Sequence, residues 1–372
     1  MKKTSNFTDN VVIICAVCVV VSFLSQVFKI TPIVNIIYAF TLVLIFGCYF
    51  LSDKVSRIMV FLILLMGIAS VANGFISSNS DYISHILILI CTFICIEAGQ
   101  SVKIEKKTFN IISYIFFGTG IILSAAYYVG PLRTSYFRWT DSICLNFPNP
   151  NVAGLWLCCI FIVIIYSAFL YTGFYKFSFF AVATSLIPIL LKTNSRNSLL
   201  ACLGFVICVM IVKVMNIKKV PNYVIAIIAI LPLIVFFFYM FVIVKNIDFW
   251  ETLFSIDDTD KGLGTRRSIW QGVLDNLWDC FWFGNYNKYY DSQMHNSLMT
   301  VFCRFGAFAT GAVCVLLYKA LKSLQENSSF YAVISLSAIF FTGCFEASLF
   351  IGIAGLYLML LIIPACASVD TE

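Results

Sequence analysis

The sequence predicts an all-α integral membrane protein whose residues 1–372 form a single polytopic domain of about twelve transmembrane helices. Hydrophobic residues make up 61% of the chain, charged residues only 11%, and the mean hydropathy is +0.96, values far outside the range of soluble globular domains. The apolar residues also form runs long enough to cross a hydrocarbon core of ~30 Å. These runs, in chain order, are 11–28, 33–51, 58–75, 82–98, 110–129, 152–171, 177–191, 199–212, 223–244, 298–318, 330–345 and 347–363.

The charged connections predict the orientation of these helices. Lys2 and Lys3 precede the first run and no small-residue cleavage site follows it, so we expect an uncleaved anchor with a cytoplasmic amino terminus. The short connections rich in lysine then all fall in the cytoplasm, in agreement with the positive-inside rule. Their basic residues are Lys54, Arg57, Lys103, Lys106, Lys107, Lys176, Lys213, Lys218, Lys219, Lys319 and Lys322.

The arginines are distributed differently from the lysines. Of the seven in the chain, only Arg57 falls inside. Because the planar guanidinium binds phosphate and carboxylate through two parallel hydrogen bonds, this bias predicts an anionic ligand on the outer side. The alternative is that these arginines anchor helix ends at lipid headgroups. They lie in the two long outer loops, 130–151 and 245–296, in one outer turn, and at the outer end of a span: Arg133, Arg138, Arg196, Arg266, Arg267 and Arg304.

Two short polar clusters precede predicted spans on the outer side. The first, F-P-N-P-N at residues 147–151, fits a rigid cap over the amino terminus of the next helix, with Asn149 and Asn151 as donors and acceptors. The second is T-N-S-R-N-S at residues 193–198. A tight turn needs polar residues, but it does not need an arginine on the side where the positive-inside rule disfavours one.

The longer outer loop is expected to contain an amphipathic helix capped by Thr265. The helix is expected to lie in the interface plane, with its tryptophans at headgroup depth. Its amino terminus would gather backbone N–H groups, Arg266 and Arg267 into an anion site. A simple lid is the alternative. The predicted apolar face consists of Ile269, Trp270, Val273, Leu274, Leu277, Trp278 and Phe281.

Other titratable residues give weaker signals. His85 is expected to pack against neighbouring helices, and Glu97 and Glu346 are expected at the membrane interfaces. The acidic run at 257–260 resembles a hard-metal site but is more typical of a solvated turn.

The cysteines behave mostly as small hydrophobic residues. Nearly all of the fifteen lie in apolar runs. Cys144 and Cys280 lie in the outer loops, and a disulfide between them is left open by the sequence.

Several short motifs follow one another between residues 147 and 311. They are N-P-N before a middle span, S-R-x-S in a turn, R-x-x-x-W in the loop helix, F-G, H-N, and R-F-G at Arg304. In this order, and on this side of the membrane, they resemble the O-antigen ligase and O-antigen polymerase superfamily of bacterial cell-envelope proteins. The chain departs from the family pattern where Gly284 is followed by Asn285 and Tyr286, since the family often has G-x-G there.

The resemblance implies a membrane glycosyltransferase of the GT-C type in the bacterial cytoplasmic membrane. Such an enzyme takes a glycan from an undecaprenyl diphosphate carrier on the outer face and transfers it to an acceptor hydroxyl, without a cofactor or an obligatory metal. It implies catalytic roles for Arg196, Arg266 and His295. The residues expected to bind substrate are Arg267, Asn149, Asn151, Asn296, Arg133, Arg138 and Arg304.

The chemistry fits these residue types independently. A diphosphate leaving group is already stable as an anion, so cationic stabilisation by Arg196 and Arg266, with Arg267 in support, matters more than a general acid. The acceptor hydroxyl must lose a proton, and His295, with a reference pKa near 6.5, suits that role. It could equally hydrogen-bond the diphosphate, and the sequence leaves both roles open.

Two further alternatives remain at the level of sequence. A polymerase and a ligase share the donor and differ in the acceptor, and we predict a polymerase. A lipid-linked sugar flippase or transporter is the alternative of another class, although no internal repeat is found. The expected partners are the lipid-linked donor, a glycan or lipid-linked acceptor, the lipid bilayer and other polysaccharide export proteins, with no nucleic acid.

Overall fold

The structure is a computed structural model that describes residues 2–30, 64, 81–101, 103–130, 132, 142–147, 149–243, 263–289, 294–327, 330–346, 349–350 and 368–369. These residues are helical, apart from connections and a two-residue parallel pairing of β1 (Lys103–Ile104) with β2 (Ser368–Val369). The helices are α1 (Lys2–Val27), α2 (Asp81–Ser101), α3 (Lys106–Val129), α4 (Pro150–Leu170), α5 (Gly173–Lys192), α6 (Arg196–Met215), α7 (Asn222–Ala229), α8 (Leu231–Phe238), a π-helical turn (Tyr239–Ile243), α9 (Leu263–Asp275), α10 (Leu277–Cys280), α11 (Tyr286–Tyr289), α12 (Ser297–Asn327) and α13 (Phe330–Thr342).

Five of the described helices are long and apolar enough to cross a membrane, namely α3, α4, α5, α6 and α12. The bent pair α7 and α8 gives a sixth if it counts as one span. This architecture is compatible with a multi-pass helical membrane protein. The predicted spans at 33–51 and 58–75 lie outside the described residues except for Leu64. Most of the predicted span at 347–363 also lies outside them, and its described residues Leu349 and Phe350 form a turn.

The predicted span at 223–244 is broken rather than continuous. Its two halves, Asn222–Ala229 and Leu231–Val242, meet at an angle of 65°. Pro232 lies in the first turn of α8, where its missing N–H cannot continue the hydrogen-bond ladder of α7. The break therefore follows directly from the position of this proline.

The centre of the helical bundle is α4. In the most apolar stretch of α4, 89% of the residues are buried, whereas the corresponding shares for α5 and α6 are 28% and 33%. The side chains of α4 are apolar on every face, as expected for a helix enclosed by other helices. The helices α3, α5, α6 and α13 pack against it. The helix thus has two ends, about 30 Å apart, at which the surrounding connections meet.

Lysine-rich connections gather at the carboxy-terminal end of α4. The ammonium groups of Lys176 and Lys213 lie 5.9 and 6.0 Å from the ring centre of Phe169. Val220 directly follows two further lysines of these connections, and the side chain of Gln325 makes hydrogen bonds of 2.9 and 3.0 Å with its backbone N–H and carbonyl. This ties the connection between α6 and α7 to the last turn of α12. The opposite end of α4 carries the N-P-N cluster.

Candidate functional site

The N-P-N cluster caps α4. The side-chain oxygen of Asn149 accepts a hydrogen bond of 2.8 Å from the backbone N–H of Asn151. This confirms the capping interpretation, and it commits one acceptor of Asn149 to the protein. One turn further on, Gly154 meets the start of α6, since a Cβ built on it would lie 2.4 Å from the Cβ of Ser195 and 3.1 Å from the hydroxyl of Ser198. The glycine lets the two helix starts touch.

Arg196 is the first residue of α6 and its side chain is exposed. The residues on either side of it, Ser195 and Asn197, are buried. The turn before Arg196 is held by a hydrogen bond of 2.8 Å, which the side-chain amide of Asn194 donates to the hydroxyl of Ser142. The S-R-x-S motif therefore uses its serines for packing and presents its arginine at the surface.

The segment that follows α13 joins the start of α6 to the start of α12. The buried amide of Asn197 donates to the carbonyl of Thr342 at 2.7 Å. The N–H of Ser297 donates to the carbonyl of Gly343 at 2.8 Å, and its hydroxyl donates to the carbonyl of Glu346. Arg196 and the residues before α12 are therefore brought to the same end of the bundle.

Asn296, which is expected to bind substrate, has a structural role in the fold. Its side-chain oxygen accepts a 3.0 Å hydrogen bond from Met299 N–H, which caps α12. Its side-chain nitrogen donates to the carbonyls of Pro232 and Cys344 at 2.7 and 3.1 Å. The residue is completely buried, and its amide fixes the course of the chain before α12.

His295 lies between two anchored residues. Its backbone is in the left-handed region, at φ +49°, which residues other than glycine adopt uncommonly. The carbonyl of Met294 on one side accepts a hydrogen bond from the indole N–H of Trp270, and Asn296 is held on the other side. The half-buried imidazole is thus attached to a backbone whose course is fixed on both sides.

The loop helix α9 is docked by Trp270. The indole N–H reaches the carbonyl of Met294 at 2.5 Å, and the ring packs 5.1 Å from Phe236 and 4.9 Å from Tyr239. Arg266 lies one helical turn before this tryptophan, and Arg267 is the residue directly after Arg266. The R-x-x-x-W motif therefore connects the helix that carries both arginines to the residue next to His295.

Three details of the predicted loop helix are corrected. It begins at Leu263, so Thr265 lies inside it and is not its cap. It ends at Asp275, after which Asn276 separates it from α10. Trp278 belongs to the separate helix α10, with 75% of its surface exposed and its ring centre 5.2 Å from that of Phe281. The asparagine interrupts the helix before the apolar stripe is complete.

The F-G and R-F-G motifs form a reciprocal backbone contact, which we call the glycine clasp (residues 280–285 and 303–307). Gly284 has φ +78° and Gly306 has φ +85°. A Cβ on Gly284 would lie 2.3 Å from the carbonyl of Arg304, and one on Gly306 would lie 2.2 Å from the carbonyl of Trp282. Only glycine fits either position.

The clasp interrupts the hydrogen-bond ladder of α12. In a continuous helix the N–H of Ala307 would donate to the carbonyl of Cys303. Here Ala307 donates to the carbonyl of Phe281 at 2.7 Å, and Cys303 accepts from the N–H of Asn285 at 2.8 Å. The loop satisfies the groups that the kink at Gly306 releases, so the departure from G-x-G in the family pattern leaves a well-bonded turn.

Arg304 supports the short helix α11 beside this clasp. Its Nε donates to the carbonyl of Tyr289 at 3.3 Å, and the side chain is partly buried. Burial raises the pKa of the Tyr289 phenol above its ordinary value. The arginine therefore has a structural contact in addition to any contact with substrate.

His85 and the two acids are partly or fully enclosed by the protein. The imidazole of His85 is hydrogen-bonded to the phenol of Tyr286, which agrees with the expected packing role and joins α2 to α11. Glu97 and Glu346, which the sequence predicts at membrane interfaces, are both buried against the protein. Glu346 lies in the segment that holds Ser297, a proximity that sequence reasoning missed because it arises between distant parts of the chain.

The remaining expected site residues are described incompletely. Arg133, Arg138 and the acidic run at 257–260 lie outside the described residues, and Arg266 and Arg267 are placed by their backbone alone. No protein-family model matches the chain, and no match was found among the curated proteins or the solved structures. A functional assignment therefore depends on the residues of this chain and on the motifs they form.

Proposed function

We propose that this chain is a bacterial membrane glycosyltransferase of the GT-C type with about twelve spans. It transfers glycan repeat units from undecaprenyl diphosphate to an acceptor sugar hydroxyl on the outer face of the cytoplasmic membrane. It thus acts as a polymerase of cell-surface polysaccharide.

The observation that carries the proposal is the gathering of the motif residues at one end of the bundle. Arg196, the segment around His295 and the helix bearing Arg266 are far apart in sequence, yet they are linked by buried hydrogen bonds through Thr342 and Trp270. An exposed arginine, a fixed histidine and a docked arginine-bearing helix are the groups that a diphosphate donor requires.

Each group has a distinct role in the proposed reaction. The guanidinium groups of Arg196 and Arg266 neutralise the diphosphate as it leaves the anomeric carbon. His295 takes the proton of the attacking hydroxyl, or donates a hydrogen bond to the diphosphate. Because its backbone is held from both sides, the imidazole can be presented at a lower ordering cost than on a free loop.

Two other candidates remain. A ligase would use the same donor site with a lipid core or another terminal acceptor. A lipid-linked oligosaccharide flippase is favoured by one observation, the 65° break between α7 and α8, because broken helices line the substrate path of many transporters.

Replacement of His295 by Asn is the most direct test. Asparagine tolerates the left-handed backbone and keeps a hydrogen-bond donor, but it cannot act as a base. If His295 is the base, we expect purified His295→Asn protein to lose ~10² to 10⁴-fold in glycan transfer from the lipid diphosphate. In cells, lipid-linked repeat units should accumulate on the outer leaflet.

The alternatives give different results in the same assay. Near wild-type activity in His295→Asn together with loss of activity in His295→Ala would assign the histidine to diphosphate binding. Accumulation of repeat units on the inner leaflet would indicate a flippase. Wild-type transfer by both variants would remove His295 from the mechanism. Lys288→Ala, in an exposed ion pair with Asp279 at 3.1 Å, is the control for an outer-loop change that should have no effect.

A further inference from the structure

Two cysteines from different elements meet at the glycine clasp. Cys280 ends α10, and Cys303 lies in the part of α12 before its kink. Both are buried, with 1% and 0% of their surfaces exposed, and they belong to the same buried apolar cluster. The sequence does not decide whether Cys280 pairs with Cys144. The structure shows Cys303 as an alternative partner for Cys280.

We propose that Cys280 and Cys303 form a disulfide in the assembled protein. Disulfide geometry requires two backbones that run close together with their side chains facing. The clasp supplies this, since the N–H of Asn285 bonds to the carbonyl of Cys303 and the N–H of Ala307 bonds to the carbonyl of Phe281. Consecutive backbone N–H groups, of Gly284 and Asn285, bond to the carbonyls of Cys280 and Cys303, which keeps the two cysteine backbones close together inside one buried cluster.

The disulfide forms by exchange with an oxidising disulfide, either a small molecule or a thiol oxidase, on the outer side. The Cys280 thiolate attacks one sulfur of the oxidant, which gives a mixed disulfide and expels one thiolate. Cys303 then attacks the Cys280 sulfur and expels the second thiolate. The two protons lost by the cysteines are taken up by the two leaving thiolates, and the oxidant is reduced to two thiols.

Burial decides when the exchange can take place. Because both thiols are buried once the clasp is closed, the exchange belongs to the period before the loop docks on α12.

The crosslink would enclose the candidate site. The chain between the two cysteines contains α11, His295 and Asn296. The disulfide would therefore close this segment, which presents the histidine, into a covalent loop. Closing such a loop restricts the unfolded chain and favours the docked state. The inference rests on the proposed outward placement of this loop, because disulfides persist in oxidising compartments.

Thiol counting on the full-length protein tests the proposal. Intact cells are quenched with acid, and the protein is denatured, alkylated without reductant and analysed by mass spectrometry. We expect two fewer adducts than the fifteen cysteines allow, a peptide linking Cys280 to Cys303, and restoration of all fifteen adducts after reduction. Cys144→Ser should not change the result, whereas Cys280→Ser and Cys303→Ser should each abolish the linked peptide.

The outcome is independent of glycan transfer. Fifteen adducts without reductant, or a linked peptide that joins Cys280 to Cys144, would overturn the proposal. The wild-type peptide map decides the matter even if the serine variants fold poorly. A failed transferase assay beside an intact Cys280–Cys303 peptide would reject the proposed function while leaving the disulfide in place.

Discussion

At the residue scale, the chemistry of the candidate site depends on side chains that neighbouring residues hold in place. Arg196 is exposed between two buried residues, and His295 lies between a carbonyl anchored by Trp270 and the buried amide of Asn296. A change to a supporting residue should therefore alter activity without touching the substrate.

The arginines should be sensitive to shape as well as charge. Arg196→Lys and Arg266→Lys keep a positive charge but lose the planar fork that binds a diphosphate in bidentate fashion. We expect each variant to lose about tenfold or more in transfer rate, corresponding to ~1.4 kcal/mol or more of lost stabilisation. The measurement is the glycan length distribution and the transfer rate of purified protein, with Lys288→Ala as the charge control. Wild-type chain length in the double lysine variant would contradict the diphosphate role.

Trp270 should link loop docking to activity. Trp270→Phe keeps an aromatic ring against Phe236 and Tyr239 but removes the hydrogen bond to Met294. We expect a loss of up to ~10²-fold in transfer, because the arginine-bearing helix and the histidine are no longer fixed to each other. Trp278→Phe, at an exposed position, is the matched control. Equal activity of the two variants would show that the docking bond has no functional effect.

At the element scale, two helices are interrupted for identifiable reasons. α7 and α8 separate at Pro232, and the carbonyl of this proline accepts a hydrogen bond from the Asn296 side chain. α12 kinks at Gly306, and the groups released there bond to Phe281 and Asn285. In both cases a backbone group at the interruption fixes residues around the candidate site.

The clasp predicts a sharp difference between two glycines in α12. Gly306→Ala should destabilise the protein by more than ~2 kcal/mol, because alanine is strained at φ +85° and its Cβ would meet the carbonyl of Trp282. Gly311→Ala, where nothing lies within 4 Å, should be neutral or stabilise by ~0.5–1 kcal/mol. Thermal unfolding of purified protein in detergent measures both. Similar melting temperatures for the two variants would contradict the clasp.

At the scale of the whole molecule, the two ends of the bundle differ in chemistry. Lysines cluster around Phe169 at one end, whereas Arg196 and His295 lie at the other. The positive-inside rule assigns the lysine end to the cytoplasm. The site would then face outward, where the lipid-linked donor is expected.

Cysteine labelling in intact cells tests this orientation. Lys288→Cys, exposed on the arginine side, should react with an impermeant thiol reagent, while Lys218→Cys should react only after the membrane is permeabilised. The parent protein, with its native cysteines, gives the background. Labelling of Lys218→Cys alone in intact cells would reverse the orientation and place the proposed site on the wrong side for its donor.

Composition and hydropathy were enough to predict the helical membrane architecture, because a run of apolar residues reports directly on its own environment. Predictions that involve only neighbours in the chain also held, such as the cap formed by Asn149 over α4. The cap predicted at Thr265 failed, because the helix extends two residues further back to Leu263.

Contacts between distant segments required the tertiary structure. Gly284 and Gly306 belong to two separate motifs of the sequence, and their mutual contact appears only when the two backbones meet. The hydrogen bonds of Asn296 to three backbone groups and the burial of Cys280 and Cys303 in one apolar cluster have the same origin. Each depends on which helix ends pack together, and packing is decided by the shape and burial of the whole bundle, which no local pattern encodes.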